Sequence, residues 1–179
     1  MPLTTTWRVA EPDPAVVARL AAATDLPEPV ARVLVNRGVA EDELKGFLDP
    51  RLDSLSDPFL LPGMEDAVDR IWAAIDGGEK ILIYGDYDVD GVTSTALMLN
   101  VLRDLGAERP RHYIPHRMDD GYGLTVETMQ KVQAGFQPSL VITVDCGTGS
   151  VDAVEEGKKL GVDVIVTDHH EVSSGVAGA

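Results

Sequence analysis

From Lys80 onward the chain alternates short apolar runs with helix-patterned segments, and no other feature narrows its fold as far. The runs "KILIYG", "RHYIP", "SLVITVDCG" and "VDVIVTDHH" are of strand type. Between them, "VTSTALMLNVLRDLG", "TVETMQKVQAG" and "GSVDAVEEGKKLG" have helical spacing and close on glycine. The order β-α-β-α-β-α-β predicts an α/β fold, a mostly parallel sheet with right-handed crossovers and helices on both faces. Residues 1–62 read differently, as a small helical region. Asp13 caps a helix opened by Pro14, "EPVARVLVNRG" stops at Gly38, and "AEDELKGFLDP" stops before Pro50. The α/β domain is expected over 63–179. Its first helix, "MEDAVDRIWAAIDGG", aligns Met64, Ala67, Val68, Ile71, Trp72 and Ile75 as a core-facing stripe.

Ligands of open α/β sheets bind beyond the carboxyl ends of the strands, so those ends hold the chemistry. The first ends in "GDYDVDG", with Asp86, Asp88 and Asp90; the second in His116 and Arg117; the third in Asp145-Cys146-Gly147; the fourth in Asp168-His169-His170. Carboxylates gathered this closely repel and resist burial unless cations offset them. Asp and His donors suit Mn²⁺ or Mg²⁺, with Zn²⁺ or Fe²⁺ as alternatives. Asp86 to Gly91 also matches the start of an EF-hand loop, which requires a Glu twelve positions in. That position is Leu97, and a strand precedes the motif. A haloacid-dehalogenase-type phosphatase is a further reading of Asp88-Val-Asp90-Gly91, although it leaves Asp145 and the Asp-His-His triplet unexplained. An aspartate here also suits a helix N-cap. "DCGTGS" reads as a glycine-rich turn whose Gly147 permits close approach of an anion, or simply as strand–helix geometry. Cys146 reads as a small buried residue.

The chain has 179 residues and a net charge of −15, which by itself disfavours a polyanionic partner. One stretch departs from this. Arg103 to Arg117 holds four of the seven basic residues that follow Ile81, plus His112 and His116. It is either a solvated face or a patch that meets phosphate. No apolar run approaches the ~20 residues of a membrane span, and no signal peptide is recognisable. With a single cysteine there is no internal disulfide, so a cytoplasmic location is expected.

Taken together and in order, "GDYDVDGVTST", "VDCG" and "TDHH" resemble the DHH phosphoesterase superfamily, and within it the RecJ-type single-strand-specific 5′→3′ DNA exonucleases. "VLVNRGV", "FLDPRLDSLSDPFLLPGMEDAVDRI" and "YIPHRMDDGYGL" extend the likeness almost to Glu171. The resemblance implies two Mn²⁺ or Mg²⁺ ions. Asp88 and Asp90 match the metal-binding pair of the first motif and Asp145 the bridging carboxylate of the second. His169 matches the metal-binding histidine, with Asp168 orienting it, and His170 the group that touches the scissile phosphate. Asp86 matches a further acid, either a ligand or a brace for one. Tyr84 stands where the pyrophosphatase branch has histidine. Arg117, with Arg109 or Arg111, is expected to meet substrate phosphate, and Tyr113 or Tyr122 to stack a base.

The implied activity is release of 5′-mononucleotides from single-stranded DNA in repair and recombination. A helicase or single-strand-binding protein is the expected partner, and no membrane is involved. A further aspartate ligand, a second domain and an oligonucleotide-binding barrel follow in the family and do not fit before Ala179. The chain is therefore expected to be the N-terminal part of a longer enzyme or a heavily shortened member of the family. Two alternatives remain at this point: a DHH phosphodiesterase of short oligonucleotides or cyclic dinucleotides, and a non-catalytic scaffold.

Overall fold

The computed structural model describes residues 8–121 and 123–171. Two compact units result, Met1–Leu60 and Leu61–Ala179. The first is helical, with α1 (Pro14–Thr24), α2 (Glu28–Asn36) and α3 (Leu44–Leu48). Asp13 Oδ1 accepts from the Ala15 amide at 2.8 Å, and Pro14 occupies the first turn, as the sequence predicts. Val17, Leu20, Ala31, Leu34 and Leu44 form its small core.

The second unit starts with α4 (Met64–Asp76). It then alternates β1 (Ile81–Gly85), α5 (Val89–Asp104), β2 (Arg111–Tyr113), α6 (Val126–Phe136), β3 (Leu140–Val144), α7 (Val151–Lys159) and β4 (Asp163–Thr167). All pairings are parallel, in the order β2-β1-β3-β4. β1 and β3 are buried along their whole length, which is why both read as continuous apolar runs rather than alternating ones. Their side chains still divide by parity. Leu82, Tyr84 and Val141 pack with Met129 and Val132 of α6 and with Ala153 and Val154 of α7. Ile81, Ile83, Leu140 and Ile142 pack with Ala74 of α4 and with Leu99 and Leu102 of α5. Helices therefore cover both faces.

Trp72 departs from the expected stripe of α4. Ile71 and Ile75 pack on the core, but Trp72 is 44% exposed and Ala74 is the fully buried residue of α4. Arg70 of the same helix pairs with Glu79 and with Asp163 at the start of β4, each at 2.7 Å.

Strand order determines what meets what. The chain leaves β1 for β2 on one side and returns to β3 on the other, so the connections reverse between β1 and β3. Crevices at such a reversal are where α/β folds bind ligands. The register sets Gly85 beside Val144 and Val144 beside Thr167. The residues that follow, Asp86, Asp145 and Asp168, thus leave the sheet side by side.

Candidate metal centre

The turn after β1 is built on close backbone approach. A Cβ on Gly85 would lie 2.1 Å from Thr95 Oγ1, and one on Gly91 2.5 Å from the Asp86 carbonyl oxygen. Only glycine lets the first turn of α5 press against the end of β1. Thr95 is buried there and donates to the Gly91 carbonyl at 2.7 Å. Asp88 is the N-cap of α5, its Oδ1 accepting from the amides of Asp90 at 2.9 Å and Gly91 at 3.0 Å. The Gly91 amide is the chief reason its carboxyl lies below the ordinary carboxylate range. Asp86 is buried, and its Oδ1 has no hydrogen-bond partner among the described residues.

Asp145 leaves β3 in the left-handed region, with φ 62°. Such a backbone is uncommon for a residue other than glycine, and aspartate is among those that tolerate it best. The residue is 7% exposed. Oδ1 lies 3.0 Å from His169 Nε2, while Oδ2 has no partner among the described residues. Burial, and next the nearby charge of Asp88, push this carboxyl upward.

Asp168 is satisfied on both oxygens. Oδ2 accepts from the Thr148 amide at 2.9 Å. Oδ1 accepts from the amides of His169 at 2.7 Å and His170 at 3.1 Å and pairs with His170 Nδ1 at 2.7 Å. Burial alone would raise its carboxyl, but the Thr148 amide and His170 outweigh burial and hold it far below the usual range. Its ring partner is thus His170, whereas the sequence reading has it orienting the His169 ring, which sits against Asp145 instead. Strict alternation would send the two imidazoles to opposite faces. The chain turns about Asp168, and their centroids lie 4.7 Å apart. The hydrogen bond to Asp168 is the main cause of the raised pKa of His170.

The side chains converge in two donor sets, Asp86–Asp88–Asp145 and Asp145–His169–His170. Within each set the candidate atoms lie within 4.8 Å of one another, and Asp145 is common to both. Buried carboxylate oxygens without donors are costly unless a cation or a proton neutralises them. Oxygen and imidazole donors of this kind fit hard or borderline divalent ions. A cleft of about 360 Å³ opens beside the cluster, lined in part by Asp145, Asp168 and His169, with Leu97 and Met98 of α5.

Other predicted site residues lie elsewhere. Asp90 is exposed in the first turn of α5 and joins neither donor set. Arg117 extends over the Tyr87 ring, 5.2 Å from its centroid, and so stands against the turn that carries Asp86 and Asp88. Arg109 and Arg111 do not reach that edge. They line a cavity of about 340 Å³ with Lys80 and Pro138, at the amino ends of the strands. Gly147 has φ 113°, and a Cβ there would lie 2.9 Å from Thr143 Oγ1. Backbone geometry thus accounts for this glycine without an anion. Tyr113 packs between Tyr84 and Phe136, at 5.5 and 6.4 Å, so it is no open platform for a base. Tyr122 lies outside the described residues. Cys146 is buried, and that burial pushes its thiol up to about 12. Sequence reasoning missed the Thr148 amide, whose only signal was the glycine on each side of it.

The family described as "DHH family, N-terminal domain" matches residues 80–177. The single-stranded-DNA-specific exonuclease RecJ of Bacillus subtilis (strain 168) is 43% identical over 167 residues, which are 92% of this chain and 21% of that protein. A crystal structure of exonuclease RecJ bound to manganese aligns with a TM-score of 0.59 at 38% identity, covering 66% of this chain and 30% of that one. The structure of RecJ in complex with Mn²⁺ from Thermus thermophilus aligns with a TM-score of 0.65 at 31% identity, over 96% of this chain and 24% of that one. The chain spans about a fifth of the curated relative it matches at 43% identity. With the DHH match extending over more than half its length and the motif residues gathered on one sheet edge, the chain belongs to the DHH family.

Proposed function

We propose that this chain is the metal-binding part of a two-metal phosphodiesterase, a 5′→3′ exonuclease that releases 5′-mononucleotides from single-stranded DNA in repair and recombination. The observation that carries the reading is the pair of donor sets sharing Asp145, with buried oxygens on Asp86 and Asp145 that have no partner among the described residues. Its likeness to RecJ proteins and to a RecJ structure bound to manganese supports the substrate and the metal. Asp86, Asp88, Asp145 and His169 would hold two Mn²⁺ or Mg²⁺ ions. When bound, such ions supply Lewis-acid charge for the attacking water and for the leaving oxygen of an in-line displacement.

The side chains divide the remaining work. Asp88 stays ionised because the helix amides hold its carboxylate. The left-handed backbone of Asp145 turns its carboxylate toward both donor sets. Asp168 pairs with Nδ1 of His170 at 2.7 Å and orients that ring beside Asp145 and His169, where it would meet the scissile phosphate. Arg117 adds a cation near the first motif, which offsets repulsion between DNA and an acidic protein. No helix among the described residues is long and apolar enough to cross a membrane. We place the enzyme in the cytoplasm, acting on strands exposed by a helicase or covered by a single-strand-binding protein.

The test is release of mononucleotides from single-stranded DNA by the intact protein with Mn²⁺. A chelator should stop it, and Asp145→Asn should lower kcat/KM by roughly 10³-fold. Asn tolerates the left-handed backbone, so the loss would report the carboxylate rather than strain. Full activity of Asp145→Asn would refute the site.

A further inference from the structure

Arg117 is carried by an exposed turn, yet that turn is tied down at one point. The amide of Asp119 donates to the His116 carbonyl at 3.0 Å and the amide of Asp120 at 2.8 Å, closing the turn around Arg117. The Asp120 carboxylate then fastens it to the fold. Oδ2 accepts from the His116 amide and from the Tyr113 hydroxyl, both at 2.8 Å. Oδ1 pairs with Lys131 Nζ of α6, also at 2.8 Å. The Asp120 side chain is only 9% exposed. Lys131 further lies 5.4 Å from the centroid of the Tyr113 ring. Beyond the turn, the Gly123 carbonyl accepts from the buried Tyr84 hydroxyl of β1 at 2.9 Å. Lys131, more than the amide and the hydroxyl, draws the Asp120 carboxyl down to about 2, as expected of a carboxylate ringed by donors.

A surface ion pair alone would mean little. Here a single carboxylate joins the end of β2, the turn and α6, and the residue that the joint holds in place is Arg117 over Tyr87. An arginine in solvent samples many rotamers and gives up that freedom when it grips a phosphate. A braced turn spares part of that loss. We propose that Asp120 is a positioning residue: with Tyr113 and Lys131 it fixes the His116–Asp120 turn, so that Arg117 is set beside the Asp86–Asp88 turn to meet substrate phosphate. The proposal rests on the nuclease reading above.

The experiment is steady-state hydrolysis of a single-stranded oligodeoxynucleotide by the intact protein with Mn²⁺, comparing Asp120→Asn, Arg117→Ala and the double variant. Asp120→Asn should raise KM about tenfold, with kcat within about threefold of the unaltered protein. Arg117→Ala should raise KM at least as far. The double variant should match Arg117→Ala alone, because Asp120 acts through that guanidinium. If Asp120→Asn does not fold, Lys131→Met removes one of the ties and should raise KM in the same direction by a smaller factor. An unmoved KM, or singles whose effects multiply in the double variant, overturns the positioning role. Absence of hydrolysis by the unaltered protein overturns the nuclease reading and this proposal with it.

Discussion

Asp145 and Asp168 leave adjacent strands with similarly buried side chains, and are treated in opposite ways. Asp168 has donors on both oxygens, three of them backbone amides, and its carboxyl is held far below the usual range. Asp145 has one imidazole on Oδ1 and nothing on Oδ2 among the described residues, and its carboxyl is pushed up. A buried carboxylate with its donors supplied is complete and organises the backbone around it. One without them stores repulsion that a cation can relieve. Asp168 is therefore the carboxylate whose donors the fold already supplies, whereas Asp145 and Asp86 carry buried oxygens without a donor among the described residues.

Substitutions at the two positions should change metal-free stability with opposite signs. The largest effect is at Asp168. Asp168→Ala strands the amides of Thr148, His169 and His170 and should cost about 2–3 kcal/mol in urea denaturation. A cost near zero would make the two aspartates equivalent. Asp145→Asn should instead stabilise the metal-free chain by about 1 kcal/mol at pH 7, since it removes a buried, poorly solvated charge and keeps the left-handed backbone.

The pH dependence sharpens the contrast. The folded Asp145 carboxyl is raised, so the folded state favours its protonated form and the penalty of its charge disappears on acidification. The advantage of Asp145→Asn should shrink as the pH falls from neutral through the raised value toward the ordinary 3.8. The Asp168 carboxyl is lowered, so its contribution is present in full above 3.8 and fades only as the pH drops toward its folded value. Denaturation at pH 7, 5 and 3.5 would separate the two. The smallest effect is at Cys146, which follows Asp145 and packs in the core with Tyr84, Met129 and Val154. With its thiol pushed up to about 12, it should resist alkylation at pH 8 in the folded chain and react after unfolding.

Much of this was legible in the sequence, because strand ends in a parallel sheet have to lie on one edge. The alternation after Lys80 implied that sheet, and "GDYDVDG", "VDCG" and "TDHH" each stood at a strand terminus. Which termini become neighbours was not legible, since β-α alternation gives direction but not order. The order β2-β1-β3-β4 brings Asp86, Asp145 and Asp168 side by side and leaves His116 and Arg117 on the far side of β1. Arg109 and Arg117 belong to one basic run, yet β2 lies between them, so the sheet separates them to opposite edges. The pairing of Asp168 with His170 depended on where the backbone turns after Thr167, and no residue pattern specified that. Asp90 matches the family's metal-binding pair together with Asp88, yet in the first turn of α5 it lies outside both donor sets.

Asp86 and Asp145, which follow β1 and β3 and carry buried oxygens without a partner among the described residues, should hold divalent ions. Calorimetric titration of the chain with Mn²⁺ tests this most directly, run beside Asp145→Asn. The unaltered chain should bind Mn²⁺ and, because Asp145 belongs to both donor sets, the variant should bind it at least about 100-fold more weakly. Absence of Mn²⁺ binding by the unaltered chain, or equal affinity in the variant, would contradict that assignment.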